Sequence, residues 1–238
     1  MSRSLVRTIG LAAGAVLLAL VFAGWAAFTA LGREGGDASG SAAATPSDTS
    51  ADAGFARDMA VHHQQAVEMS FVVRDRTQDE EVRRLAYDIA NTQANQRGMM
   101  LGWLDLWGLP KTVADREPMS WMEHGKGGAA HGGGHGGSHG GSAEASTGSG
   151  DDQPIMAGMA TRAEMQRLGT LSGKEAEVFF LQLMIDHHVG GVHMAQGCVD
   201  ACAVPVQKAL AQGMVDVQES EIGLMTDMLR ERGAEPRG

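Results

Sequence analysis

Basic residues are in short supply: 19 Lys and Arg stand against 29 Asp and Glu, for a formal net charge of −10 and a pI near 5.3. Phosphate recognition needs a basic stripe, and none is present, which excludes a nucleic-acid partner and leaves cations as the natural ligands. Aromatic residues make up only 5% of the 238, yet 43% are hydrophobic, enough for one core of moderate size once tails and linkers are set aside. No nucleophile-and-base arrangement and no cofactor fingerprint is visible, so no catalytic residue is assigned. The Glu-x-x-His element of di-iron bundles is also missing from the histidine-bearing segments, which disfavours iron chemistry.

What is present begins with a membrane signal. Arg3 and Arg7 precede an uncharged stretch from Ile9 to Leu31, closed by Arg33 and Glu34. A secretory apolar region runs about 7–15 residues, whereas a spanning helix needs about 20. The length favours an uncleaved transmembrane anchor over a cleaved signal peptide, and the preceding arginines direct the rest of the chain outward. Residues 1–34 are therefore read as membrane anchor or signal segment, and the small, polar residues 35–53 as a flexible linker. In such an oxidising setting Cys198 and Cys202 tend to pair, although two side chains one turn apart on a regular helix are poorly directed for a bridge; both states stand.

Beyond the linker the apolar spacing is helical. A first stripe runs Phe55, Met59, His62, Ala66, Met69, Val73, and Thr77 with Glu80 has the form of a capping box ahead of a second helix. That helix is read with the stripe Leu85, Ile89, Thr92, Gln96, Met99, Trp103, Trp107, ending at Gly108 and Pro110. Residues 111–153 interrupt the pattern with a glycine- and histidine-rich connection. Thr161 with Glu164 predicts a short helix, and Ser172 with Glu175 the next long one, whose stripe is Phe180, Met184, His187, Gly191, Met194, Cys198. Pro205 opens a last helix with the stripe Leu210, Met214, Val217, Glu221, Leu224, Met228, stopped by Gly233 and Pro236.

One offset of 125, the separation of His62 from His187, aligns both halves without a gap. Phe55 falls on Phe180, Met59 on Met184, His63 on His188, Met69 on Met194, Gln93 on Gln218 and Gly108 on Gly233. Two copies of one hairpin, 54–110 and 173–234, each with an apolar face it cannot bury alone, predict an all-α four-helix bundle over 54–234 with pseudo-twofold symmetry.

Both first helices carry M-x-x-H-H-x-x-x-V-x-M, as MAVHHQQAVEM from Met59 to Met69 and MIDHHVGGVHM from Met184 to Met194. Adjacent residues point about 100° apart, so one histidine of each pair faces the bundle axis and the other a neighbouring helix or solvent. The pseudo-twofold is expected to bring His62 opposite His187, with Met59 and Met184 nearby. Imidazole with thioether sulfur suits copper, especially Cu(I). The candidate metal residues are His62, His63, His187, His188, Met59, Met184, Met69 and Met194. Gln96 and Glu221, which interrupt the stripes of the second helices, are candidates for a ligand or for orienting an imidazole, and Asp58 and Asp186 for the same roles. Weaker candidates are His124, His131, His135 and His139, which with Met119, Met122, Met156 and Met159 suggest a metal-capturing arm; His193; and Cys198 as a free thiolate. Against these stands the plain reading that methionine at helical spacing fills the core. Two rivals to metal buffering or transfer remain: a metal-dependent oxidoreductase, and a helical interaction module with structural histidines.

At these motifs the chain resembles a family of secreted bacterial proteins catalogued as a domain of unknown function and called CopM-like after a copper-binding member. The resemblance spans roughly residues 52–110 and 155–234, including FARDMAVHHQQAVEMS, the Met-x-Gly-Met element from Met156 to Met159, and FFLQLMIDHHVGGVHMAQ. It implies a ferritin-like bundle of two similar hairpins and copper as the metal, with ligand roles on Met59, His62, His63, Met184, His187 and His188. Many members have proline before the histidine pair, where this chain has Val61 and Asp186, and the Gly/His loop is particular to this chain. The metal-transfer partner is not specified by any of these features.

Overall fold

Helix capping sets where the ordered chain begins. In the computed structural model, which describes residues 45–124 and 152–237, Ser50 accepts a hydrogen bond from Ala53 N, and helix α1 runs Ala51–Arg76. The helix thus starts three residues ahead of the boundary expected at residue 54. Just before it, the Asp48 carboxylate is held by Arg57 and Arg116. The anchor expected over residues 1–34, linker residues 35–44 and residues 125–151 of the connection lie outside the described residues. No helix among the described residues is long and apolar enough to cross a membrane.

The second helix, α2 (Glu80–Leu106), is capped by Asp79 and not by Thr77. The Asp79 carboxylate accepts from Glu81 N and Val82 N, while the Thr77 hydroxyl accepts from Asp79 N and donates to Glu177. A short helix α3 (Trp121–His124) follows, then α4 (Arg162–Thr170), which begins with the full Thr161–Glu164 capping box. Helix α5 (Gly173–Ala201) starts after Ser172, whose side chain makes no capping bond, and α6 (Pro205–Glu231) carries Pro205 in its first turn. The two hairpins end alike: Gly108 and Gly233 take φ of +67° and +68°, letting Leu109 N and Ala234 N reach back to Leu104 O and Leu229 O.

Helix α1 packs on α2, α5 on α6, and α1 on α5, while α2 and α6 do not pack closely on each other. The two histidine-bearing helices therefore form the centre, and they run antiparallel. At one end Asp52 accepts from Ala203 N and Val204 N; at the other Glu177 accepts from Thr77 and from Arg232. The stripes expected for α1 and α5 are buried throughout. Those of α2 and α6 are only partly buried: Leu85, Ile89, Met214 and Met228 face inward as expected, but Met99, Val217 and Leu224 are exposed, and Val82, Ala86, Met100, Leu104, Ala211, Val215, Met225 and Leu229 complete the inward arc. A helix that packs on one partner turns its apolar arc toward that partner, not toward the axis of a symmetric bundle.

The core consists of two apolar clusters. One gathers Met69, Met184, Ile89, Phe180, Met225 and Leu229; the other gathers Met59, Met194, Phe55, Met100, Leu104 and Met214. The layer between them is polar.

Candidate metal centre

The polar layer holds His62, His63, His187 and His188, all with no exposed surface. Their positions follow from the 100° step of the helix. His62 and His187 face each other where α1 and α5 cross, with ring centroids 3.7 Å apart and planes inclined by 32°. His63 turns toward α2, where Gln96 Oε1 lies 2.8 Å from its Nε2; His188 turns toward α6, where Glu221 Oε2 lies 2.7 Å away. His187 Nε2 donates to the His62 carbonyl at 2.9 Å.

These bonds fix the tautomers. In His63, His187 and His188 the Nε2 proton points at these oxygens, which makes Nδ1 the nitrogen that carries the lone pair in a neutral ring. None of those three Nδ1 atoms has a hydrogen-bond partner, and neither nitrogen of His62 has one. Burial pushes the His62 imidazole down to about 3; His63 and His188 add to that, and only the nearby Ala157 backbone opposes it. Burial likewise brings His63 to about 3 against the raising effect of its Gln96 bond. His187 is held well below its ordinary value by burial, with His62 and His188 adding to it. In His62, His63 and His187 the layer thus holds neutral imidazoles with unpartnered nitrogens, each costly to bury.

Antiparallel packing rearranges the expected methionines. Met59 and Met184 do not sit together: Met59 joins Met194 in the cluster on one side of the histidine layer, and Met69 joins Met184 on the other. The pseudo-twofold pairs the first methionine of one motif with the last of the other. Among the described residues no three His, Cys, Asp or Glu side chains converge on one point, so any closed ligand set there must draw on thioethers or on fewer imidazoles.

Several expected helpers are engaged elsewhere. Asp58 accepts from Met119 N and Trp121 Nε1, and burial raises its carboxyl despite those bonds. Asp186 pairs with Arg237. His193 is exposed on the outer face of α5. Cys198 is bonded to Cys202, which excludes it as a free thiolate; α5 stops at Ala201, so Cys202 has left the regular helix that disfavours such a bridge. Met156 and Met159 are buried in the cluster of Met59 and Met194, with Met119 and Met122 packed against it, so these four join the core and not a loose arm. His131, His135 and His139 lie outside the described residues, and His124 ends α3.

Two features of the site escaped the sequence reading. The first is the strap at Met156–Met159, which crosses the central helices against glycine. A Cβ on Gly190 would lie 2.1 Å from the Ala157 carbonyl oxygen, and one on Gly158, at φ +79°, 2.3 Å from the Asp186 carbonyl oxygen. Gln65 clamps the strap by exchanging two hydrogen bonds with the Ala160 backbone. Replacing Gly190 with Ala is expected to cost about 1–3 kcal/mol in urea denaturation, because backbone on both sides must move; an unchanged midpoint and slope would show that the strap does not lie there. The second feature is the pair Gln93 and Gln218, buried with Oε1 unpartnered. Gly191 makes room for Gln218, whose Oε1 would lie 2.3 Å from a Cβ at that position. Their repeat relation was the available signal.

A family model described as a domain of unknown function, DUF305, matches residues 52–229. Among solved structures, a DUF305 protein from Streptomyces coelicolor is 59% identical with a TM-score of 0.67, covering 81% of this chain and 99% of its own. A DUF305 fragment from Deinococcus radiodurans is 30% identical with a TM-score of 0.56, covering 76% of this chain and 96% of its own. CopM in its Cu(II)-bound form is 21% identical with a TM-score of 0.51, covering 76% and 97% respectively; it has also been solved in a Cu(I)-bound form. No curated protein matches the chain. With three quarters of its length matched by the family model and a solved member at 59% identity, the chain belongs to the DUF305 family and is CopM-like in fold.

Proposed function

We propose that this chain binds a soft metal ion, copper, in its histidine layer and buffers it or hands it on by ligand exchange, outside the cytoplasm and without catalytic turnover. The observation that carries the reading is the set of buried, unpartnered ring nitrogens: Nδ1 of His63, His187 and His188, and both nitrogens of His62. An imidazole that donates its Nε2 proton to a carbonyl, amide or carboxylate while its other nitrogen stays free has the arrangement of a metal ligand held by its neighbours. Thioethers of Met59 and Met194 on one side, and of Met69 and Met184 on the other, supply the soft donors that favour copper over zinc or iron. CopM, solved with Cu(I) and with Cu(II), is further support for the choice of metal. Bound there, copper would supply the cation that the lone pairs lack. The Arg3–Arg7 signal ahead of an uncharged stretch supports export with membrane tethering, and the Cys198–Cys202 bond is of the kind that persists in oxidising compartments.

Thermal unfolding of the parent and of the His62→Ala, His187→Ala double variant, with Cu(I), Cu(II) or Zn(II), tests this. Copper at about a thousandfold excess over its Kd is expected to stabilise the parent by about 4 kcal/mol and to leave the variant unmoved. Equal stabilisation of both would move the binding to other residues. No response in the parent would favour a helical interaction module.

A further inference from the structure

The two halves of the histidine layer have the same outward hydrogen bond but a different charge. Gln96 and Glu221 stand at repeat-related positions, one accepting from His63 Nε2 and the other from His188 Nε2. One half therefore ends on a neutral amide and the other on a carboxylate. The other buried charged side chains, Asp52, Arg57 and Glu177, are engaged at the two ends of the central helices. Among the described residues, Glu221 is the only carboxylate hydrogen-bonded to the layer.

Ligating imidazoles are neutral, so the charge of the layer is set by what surrounds it. Burying an ion costs more the less its charge is compensated. One carboxylate offsets a monovalent cation fully and leaves a divalent one half compensated. Its hydrogen bond also fixes the orientation of the His188 ring. Resting on the metal-binding reading above, we propose that the asymmetry of the two halves matches the histidine layer to a monovalent soft cation, Cu(I) or Ag(I): Glu221 positions His188 and supplies the one compensating charge, and the neutral Gln96 withholds the second carboxylate that a divalent ion would need. The Glu221 side chain is 19% exposed, so water screens part of the effect.

The repeat supplies the test. Glutamine at position 221 should keep the same hydrogen bond, because Gln96 makes it in the other half. Affinities for Ag(I) and Zn(II), measured by chelator competition on the full chain, are compared among the parent, Glu221→Gln, Gln96→Glu and the double swap. Glu221→Gln is expected to weaken Ag(I) about tenfold, the factor carried by one partly screened charge-assisted bond, and Zn(II) by more, because the lost carboxylate acts on twice the charge. Gln96→Glu should raise Zn(II) relative to Ag(I). The swap, with one carboxylate again but on the other side, should recover Ag(I) affinity to within about threefold of the parent; a merely structural role for Glu221 would not be rescued from position 96. An unchanged Ag(I) affinity in Glu221→Gln, an unchanged Ag(I)-to-Zn(II) ratio in Gln96→Glu, or a swap no better than the single variant overturns the proposal while leaving metal binding intact. A parent that binds no Ag(I) overturns the metal-binding reading itself, and this proposal with it.

Discussion

Acidified in the absence of metal, the protein is expected to unfold cooperatively between about pH 6.5 and pH 3, with its midpoint roughly at pH 4 to 5. In the unfolded chain the imidazoles of His62 and His63 take up protons near 6.5; in the folded chain burial holds both at about 3. Between those values the unfolded state binds more protons, so stability falls as the pH falls; above 6.5 these groups leave it level. His187 is shifted in the same direction. Two to three protons taken up on unfolding give a slope of roughly 3 to 4 kcal/mol per pH unit, enough to exhaust the roughly 5–15 kcal/mol of an ordinary domain within a few units. Circular dichroism against pH, with proton uptake measured by pH-jump titration, checks this. A fold that persists unchanged at pH 3.5 would mean that His62, His63 and His187 are not buried as neutral groups. Copper should move the midpoint to lower pH, because ligation and protonation compete for the same nitrogens.

Much of this layer could be read before the fold was known, and the reason is physical. The offset of 125 fixed which residues occupy equivalent places, and the helical period of α1 and α5 put His62 and His187 on facing stripes. Those two helices are surrounded, so their buried arcs agree with simple periodicity. The flanking helices are not: Met99, Val217 and Leu224 continue an apolar period and still face water, because nothing in periodicity says on how many sides a helix is covered. The pairing of Met59 with Met194 needed the direction in which α1 and α5 cross, which the repeat alone leaves open. The strap at Met156–Met159 was legible as a motif but not as a place, since its position depends on Gly158 and Gly190 letting two backbones touch. Capping was similarly local: Thr77 looked like a cap for α2, but its hydroxyl accepts from Asp79 N and donates to Glu177, a contact 100 residues away.

Replacing His62 with Leu should make the metal-free protein more stable, by about 1–3 kcal/mol, while abolishing its response to copper. Neither ring nitrogen of His62 makes a well-formed hydrogen bond, and the Ala157 backbone is the one group nearby that favours its charged form, so the native residue bears most of the desolvation cost of two polar atoms. Leucine has a similar volume and no polar atom, and the site lies between two apolar clusters that accept it. The same change at His188 is expected to bring no such gain, because it strips the partly buried Glu221 of its partner. Denaturant titrations of the two metal-free variants separate these outcomes, and the His62 variant should also lose about one proton from the acid transition. If His62→Leu were destabilising by several kcal/mol without metal, the ring would have to be held by hydrogen bonds or stacking that outweigh its burial, and the histidines would be structural. If it stabilises, the chain retains four buried imidazoles at a cost to its own folding, and that cost is offset only when something binds their lone pairs.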